Sequence, residues 1–410
     1  MNKYVSFDLG NSKIAAMGAE ILPDGKIKVL GTESVASNCV EHGKIVKPSE
    51  AAMKIGMLKR YLQNSSKLTA INGFGLAINA RTMKAKEISI NRKLNNKAVI
   101  YKYLEDMAKE ARYDFDNRFL TVFDVIPQTY LLDGVAMDNP EGKKGKSLTG
   151  KYTIVYGEKS IKENIEKTAP RSVSTVDFDC LASEALSAAL LSDDERQRGC
   201  AVIDFGAGNT TLSIYFDGVL KDLLVVPLGG KNITEDIMNE GVDEGVAETL
   251  KHQFPNVKIE LPPTLDLQTL ALIIEARLEE LAVPVLDVIE KYKNKLLTGI
   301  VLTGGGSTPD YIVSYMQEKT GLPARRGSHA HLLADESKKY DVPSFSLLVG
   351  IIALWRSTIK ENQTEAPKEP KRKRISPIKW VNIKLDELFP DFFAEDTPNK
   401  EKPQEEQVSE

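Results

Sequence analysis

A duplicated, two-lobed α/β fold is what the sequence predicts, on three observations. Strand-like and helical runs alternate over the first 360 residues, an acid-and-glycine turn occurs twice, near residues 8 and 204, and a glycine cluster ends a strand-like run at residue 304. The strand-like runs RFLTVFDVI, KYTIVYG, GCAVIDF and GIVLTG are short and rich in β-branched and aromatic residues. AAMKIGMLKRYLQ and LALIIEARLEELAVPVLDVIEKY carry the helical spacing instead. Alternation of the two patterns argues for helices packed on sheets.

Length and composition bound the reading. At 410 residues the chain is long for one core, so two or more domains are expected, and 42% hydrophobic with 27% charged residues is the balance of a soluble globular protein. A net charge of -4 gives no electrostatic reason to expect a nucleic-acid partner. Cys39, Cys180 and Cys200 lack close pairing, so neither a disulfide framework nor a zinc site is indicated, and a reducing cytoplasm fits. The N-terminus runs straight into Tyr4-Val5-Ser6-Phe7, and the longest apolar stretch, Leu347 to Trp355, is short of a bilayer. Neither a signal peptide nor a transmembrane helix is expected. Gly229-Gly230-Lys231 continues into Asn232 and lacks the upstream glycine of a Walker loop, no GxGxxG follows a strand, and no GxSxG is present.

The repeat carries the chemistry. FDLGNSKIA at 7 to 15 returns, with a two-residue insertion, as IDFGAGNTTLS at 203 to 213. Asp, Gly, Asn and Ser suit any hairpin turn, but a duplicated surface hairpin would not need the same acid in both copies. Gly10, Gly206 and Gly208 lack a Cβ and let backbone N–H groups approach a phosphate, while Asn11, Ser12, Asn209, Thr210 and Thr211 add donors around Ala207. Two such loops facing each other would clamp a polyphosphate. Asp8 and Asp204, at their strand ends, would then share one cleft, where two carboxylates repel unless a cation lies between them. Magnesium, held through water and phosphate oxygens, meets that need. In VLTGGGS, Gly304, Gly305, Gly306 and Ser307 offer bare backbone on which a flat ring such as adenine could lie; a Gly-Gly-Gly turn after a strand is also an ordinary loop.

These three stretches, in this order, resemble the two phosphate loops and the adenosine loop of the actin, DnaK-chaperone and sugar-kinase superfamily. Within it the sequence is similar to the FtsA family of actin-like bacterial cell-division proteins. FDLGNSKIA, VIPQTYLLDG at 125 to 134, the run LASEAL to SIY at 181 to 215, VPLGGKNITEDI at 226 to 237, AETLK at 247 to 251, IIEAR at 273 to 277 and VLTGGGS carry that resemblance. It implies an actin-like fold with a nucleotide cleft: a lobe I core at 1–82, 160–198 and 344–360, an FtsA-type α/β insert at 83–159 that contacts the next filament subunit, a lobe II core at 199–231 and 298–343, and an upper part of lobe II at 232–297. It implies Asp8 and Asp204 as metal-organising acids, with Gly10, Asn11, Ser12 and Lys13 on the first phosphate loop and Gly206, Ala207, Gly208, Asn209 and Thr210 on the second. Glu248, Lys251 and Arg277 would line the nucleoside pocket beside Gly304, Gly305, Gly306 and Ser307. Glu248 and Lys251, three apart on a helix, also suit a simple surface ion pair.

Two departures from the family pattern stand out. Asp179-Cys180 replaces the Glu-Pro common before Leu-Ala-Ser. Asp179 would be the residue that orients an attacking water, and being one methylene short it points to slow or conditional ATP hydrolysis. NVKIELPPTLDLQ stands where the family carries a fuller sheet, so the site for the tail of the tubulin-like FtsZ is expected to be reduced or altered.

After residue 360 the composition changes. KENQTEAPKEPKRKR, residues 360 to 374, is Pro- and charge-rich and marks a linker (361–375) that cannot bury a core. In SPIKWVNIKLDELF, Ser376 and Pro377 are helix-start signals, and Ile378, Val381, Leu385, Leu388 and Phe389 share one face of an amphipathic helix over 376–389, with Trp380 off that face. Four bases at Lys371 to Arg374 favour an anionic membrane surface. Asp386, Glu387 and the acidic tail at 390–410 oppose it, so a protein-docking helix stays open. FtsA resemblance favours the membrane. The expectation is therefore a self-assembling, ATP- and magnesium-binding protein that tethers FtsZ, alongside other division proteins, to the cytoplasmic face of the membrane at the division site. A small-molecule kinase or phosphohydrolase on the same cleft, or a pilus-assembly actin, is the alternative.

Overall fold

The computed structural model describes residues 2–65, 68, 71–113, 115–172, 177–309 and 311–363. The expected amphipathic helix and acidic tail, with all but the first three residues of the linker, lie outside the described residues. The chain opens with the hairpin β1 (Asn2–Leu9) and β2 (Lys13–Ile21), to which β3 (Ile27–Ala36) adds antiparallel. A second hairpin, β4 (Val40–Glu41) and β5 (Lys44–Ile45), turns on His42 and Gly43, with φ of +46° and +77°. Both residues are left-handed, as a two-residue type I′ turn requires. Helix α1 (Pro48–Ser65) starts on a proline, tolerated in the first turn, and buries Ala51, Ile55, Leu58 and Leu62, spaced three or four apart. β6 (Gly73–Ile78) then lies parallel to β1.

The chain next leaves this sheet to build another. β7 (Lys84–Lys93), α2 (Tyr101–Tyr113), β8 (Leu120–Leu132), β9 (Val135–Met137) and β10 (Ser147–Glu158) form a four-stranded sheet in the order β7-β10-β8-β9. The helix covers it with Leu104, Met107, Ala108 and Ala111. Gln128, in the VIPQTY segment, is buried and donates to the Leu220 carbonyl at 3.0 Å, tying this sheet to the second half of the chain. Helix α3 (Lys159–Ser172) returns to pack on α1, and β11 (Phe178–Leu181) joins β6 in parallel.

The second half repeats the first. After α4 (Ala182–Leu190) and the short α5 (Asp193–Arg198), closed at its N-terminus by a Ser192–Glu195 capping box, the strands β12 (Cys200–Phe205), β13 (Thr210–Phe216) and β14 (Val219–Val226) form an antiparallel meander. Helices α6 (Gly230–Met238), α7 (Glu244–Gln253) and α8 (Leu267–Tyr292) follow, and no strand among the described residues falls between Val226 and Ile300. β15 (Ile300–Thr303) lies parallel to β12, and beyond helix α9 (Tyr311–Thr320) β16 (Ala324–Arg326) lies parallel to β15. The two five-stranded sheets, β11-β6-β1-β2-β3 and β16-β15-β12-β13-β14, thus have the same directions in the same positions. Helix α10 (Ser346–Gln363) crosses back to pack on α4 and β1. One apolar core runs from Phe7, Ile14 and Leu76 through Leu186 and Val349 to Cys200, Val202 and Val301, so the lobes share packed side chains rather than meeting across water.

Candidate nucleotide cleft

The site is built from two hairpin turns. In the first, Leu9 pairs with Ile14 and the Gly10 N–H donates to the Lys13 carbonyl at 3.1 Å; in the second, Phe205 pairs with Thr210 and the Gly206 N–H donates to the Asn209 carbonyl at 2.9 Å. Both loops have four residues. The two-residue insertion expected from residue identities is absent: hydrogen-bond closure matches Gly10 with Gly206, Asn11 with Ala207, Ser12 with Gly208 and Lys13 with Asn209. The reason is physical, because hairpin register follows turn geometry and not side-chain type. A Cβ would sit 2.8 Å from the carbonyl that closes the turn, Lys13 O at Gly10 and Asn209 O at Gly206, so the same backbone approach demands glycine at both positions.

The acids occupy matching places, one residue before the end of each strand. Burial pushes Asp8 up to about 6, partly countered by Lys13, and pushes Asp204 up to about 7, with the charge of Asp8 adding to the rise. The two carboxylates therefore feel each other across the lobes. The turns themselves touch: a Cβ on Gly208 would lie 1.9 Å from Asn11 Nδ2, and Asn11 Oδ1 accepts from the Gly43 N–H at 3.0 Å.

The glycine cluster closes one side. Gly304, at φ +83°, sits so near that a Cβ would lie 2.3 Å from Asp204 Oδ1 and 2.5 Å from the Phe205 carbonyl, which leaves no room for any other residue. Ser307 is buried and its hydroxyl donates back to the Gly304 carbonyl at 2.8 Å, fixing the loop. Helix α6 backs the second turn: the Gly230 and Lys231 N–H groups donate to the Gly206 and Ala207 carbonyls at 3.0 and 2.8 Å. Because a peptide's carbonyl and the next N–H point oppositely, the N–H groups of Ala207 and Gly208 are turned away from α6.

This geometry has known counterparts. The model of the family described as Cell division protein FtsA matches residues 201–350. The cell division protein FtsA of Escherichia coli (strain K12) is 28% identical over 428 residues, covering 94% of this chain and 98% of its own. That of Bacillus subtilis (strain 168) is 27% identical over 345 residues, 77% and 76% of the two chains. The chain is similar to FtsA along nearly its whole length. A solved structure titled PilM-PilN type IV pilus biogenesis complex superposes with a TM-score of 0.64 at 16% identity, over 86% of this chain and 98% of that one, which shows the shared fold alone. The α/β architecture is thus the two-lobed actin-like fold that the resemblance to FtsA implied.

The remaining residues singled out by the FtsA resemblance fall in several settings. Lys251, on α7, is buried and its amino group donates to Glu248 Oε1 at 2.6 Å, Thr234 Oγ1 at 2.8 Å and the Gly230 carbonyl at 3.1 Å. Burial raises Glu248, but hydrogen bonds from His252, Lys251 and Thr234 outweigh it and hold the carboxyl at about 2. This is a partly buried network at the start of α6, not an exposed pair. A Cβ on Gly230 would lie 3.5 Å from Lys251 Nζ and 3.9 Å from the Gly306 Cα, so α6, α7 and the glycine cluster meet there. Arg277, on α8, is bidentate to Asp236 at 2.8 and 2.9 Å and also donates to Glu280 at 2.6 Å. Thr210 is buried, its hydroxyl donating to the Leu228 carbonyl at 2.9 Å, whereas Ser12 and Lys13 are exposed at the tip of the first turn. Burial raises Asp179, on β11, to about 6.

Sequence reasoning missed the elements that join the lobes. His42 Nδ1 lies 2.9 Å from the Gly208 carbonyl and 3.1 Å from Asn209 Oδ1, and Asn79 Nδ2 donates to Thr211 Oγ1 at 2.8 Å. His42-Gly43 between Val40-Glu41 and Lys44-Ile45 could have been read as a hairpin turn. Its partner across the cleft could not. Among the described residues no group of three or more His, Cys, Asp or Glu is arranged to hold a metal, and no helix is long and apolar enough to cross a membrane.

Proposed function

We propose that this chain binds ATP with magnesium between its lobes, assembles into a filament and, as an actin-like cell-division protein, tethers the FtsZ ring to the cytoplasmic face of the membrane at the division site. What carries the nucleotide reading is the pair of identically closed glycine turns standing against each other, each with a half-buried acid behind it. Two raised carboxylates, Asp8 adding to the rise of Asp204, are a donor set suited to a cation that takes its other ligands from water and phosphate, as magnesium does. Asp8 and Asp204 would hold it through water. Gly10, Asn11, Ser12 and Lys13 would face the phosphates with Gly206 to Thr210. The nucleoside would lie beside Gly304, Gly305, Gly306 and Ser307, near Glu248, Lys251 and Arg277. Asp179 would position the hydrolytic water, slowly for want of a methylene.

The division role rests on similarity to proteins named cell division protein FtsA. In that reading residues 83–159 meet the next subunit, and Ile378, Trp380, Val381, Leu385, Leu388 and Phe389 enter the membrane interface. Two measurements test it. Magnesium·ATP binding should weaken at least a hundredfold, about 2.7 kcal/mol, in Asp8→Ala/Asp204→Ala; unchanged binding rejects the cleft. Flotation with anionic liposomes should be lost without residues 370 to 410, and unchanged flotation rejects the anchor.

A further inference from the structure

We propose that His42 is a positioning residue that locks the second phosphate loop onto lobe I by fixing the peptide between Gly208 and Asn209. The inference rests on the nucleotide reading above and adds a residue to it. Both atoms facing His42 Nδ1, the Gly208 carbonyl and Asn209 Oδ1, are acceptors, at 2.9 and 3.1 Å. Nδ1 must therefore carry the proton, whether the ring is neutral or charged. A peptide preceded by glycine can flip at reduced cost, since Gly208 has no Cβ to oppose either orientation and asparagine at 209 is among the residues that best tolerate left-handed backbone. The hydrogen bond from His42 selects the one in which the Gly208 carbonyl faces lobe I, and so turns the Asn209 N–H the other way.

The hairpin tip is itself held rigidly. His42 and Gly43 both occupy left-handed backbone, a Cβ on Gly43 would lie 1.9 Å from the Asn79 carbonyl, and the Gly43 N–H donates to Asn11 on the first phosphate loop. The Arg81 N–H donates to the His42 carbonyl at 3.0 Å. One two-residue turn thus reads both phosphate loops at once, donating from Gly43 to the first and from His42 to the second. Separation of the lobes must break the His42 contacts, and an unlatched loop would release its anion sooner.

His42→Ala removes the donor. His42→Asn keeps an N–H donor near the place of Nδ1 and tolerates positive φ. In the full chain without nucleotide, amide hydrogen exchange over residues 206–211 should be faster in His42→Ala and near wild type in His42→Asn. With a fluorescent ATP analogue and magnesium, His42→Ala should release nucleotide about tenfold faster, the scale of one lost hydrogen bond, with a melting temperature before nucleotide is added lower by only about 1–2 °C. Wild-type exchange over 206–211 in the alanine variant overturns the latch. So does a release rate that rises only in step with a loss of overall stability, or that the asparagine variant fails to restore. A wild-type chain that binds no nucleotide, yet shows the exchange difference, would keep the latch and reject the nucleotide reading.

Discussion

The two acid-and-glycine hairpins close in the same way and are furnished differently. Each has four loop residues, one glycine N–H returning to the carbonyl three residues on, and one acid behind the turn. The first keeps Ser12 and Lys13 exposed at its tip, and Lys13 draws Asp8 downward against burial. The second has Gly208 and Asn209 at those places, is backed by α6 and Gly304, and leaves Asp204 higher, with Asp8 pushing it up further. Both halves keep the same backbone closure, the feature that the nucleotide reading needs for the approach to an anion. Side-chain charge was free to diverge, so one half of the cleft supplies a cation and the other supplies room.

The most damaging test of that symmetry is to substitute both closing glycines. Gly10→Ala and Gly206→Ala each press a Cβ to 2.8 Å from a backbone carbonyl, and each should cost about 1–3 kcal/mol in chemical unfolding. Equal losses support one shared closure; a loss at one position only breaks it.

The acids give the next largest effect. With Asp8 at about 6 and Asp204 at about 7, the folded chain holds protons that the unfolded chain has released above pH 4. Nucleotide-free stability should therefore fall as pH rises from about 4 to about 7, the opposite of the usual salt-bridged carboxylate. A drop of about 2–5 °C in melting temperature is expected over that window, smaller in Asp204→Asn than in Asp8→Asn, and magnesium·ATP affinity should rise over pH 6 to 7 as the acids ionise. A melting temperature that climbs over the window in step with both asparagine variants would refute the raised carboxyls.

Smallest is the effect of the furnishing. Lys13→Ala removes the charge that lowers Asp8, so the pH midpoint of magnesium·ATP binding should move upward by a few tenths of a unit, with affinity at pH 8 falling only a few-fold, as befits an exposed charge. An equal shift from Asn209→Ala would mean that charge is not what separates the two turns.

Much of the fold was legible beforehand because it is written in local patterns. Alternating strands marked the two sheets, and the acid-glycine turns marked their matching positions. The apparent insertion was misread because Asn11 and Asn209 look alike, whereas backbone closure pairs Asn11 with Ala207. Glu248 and Lys251 could be read as neighbours on a helix, but their joint engagement with Thr234 and Gly230 required another helix to arrive beside them.

What the sequence determined by itself was which residues could bend tightly, bury an acid or approach an anion, since those are properties of a residue and its near neighbours in the chain. Tertiary structure alone decided that Asn11 stands against Gly208, that Gly304 presses on Asp204 and that His42 reaches the opposite lobe. Those contacts join positions from 100 to 197 residues apart along the chain, and no local preference encodes them: they exist because two copies of one sheet pack through a common core, and that packing sets the distance between their turns.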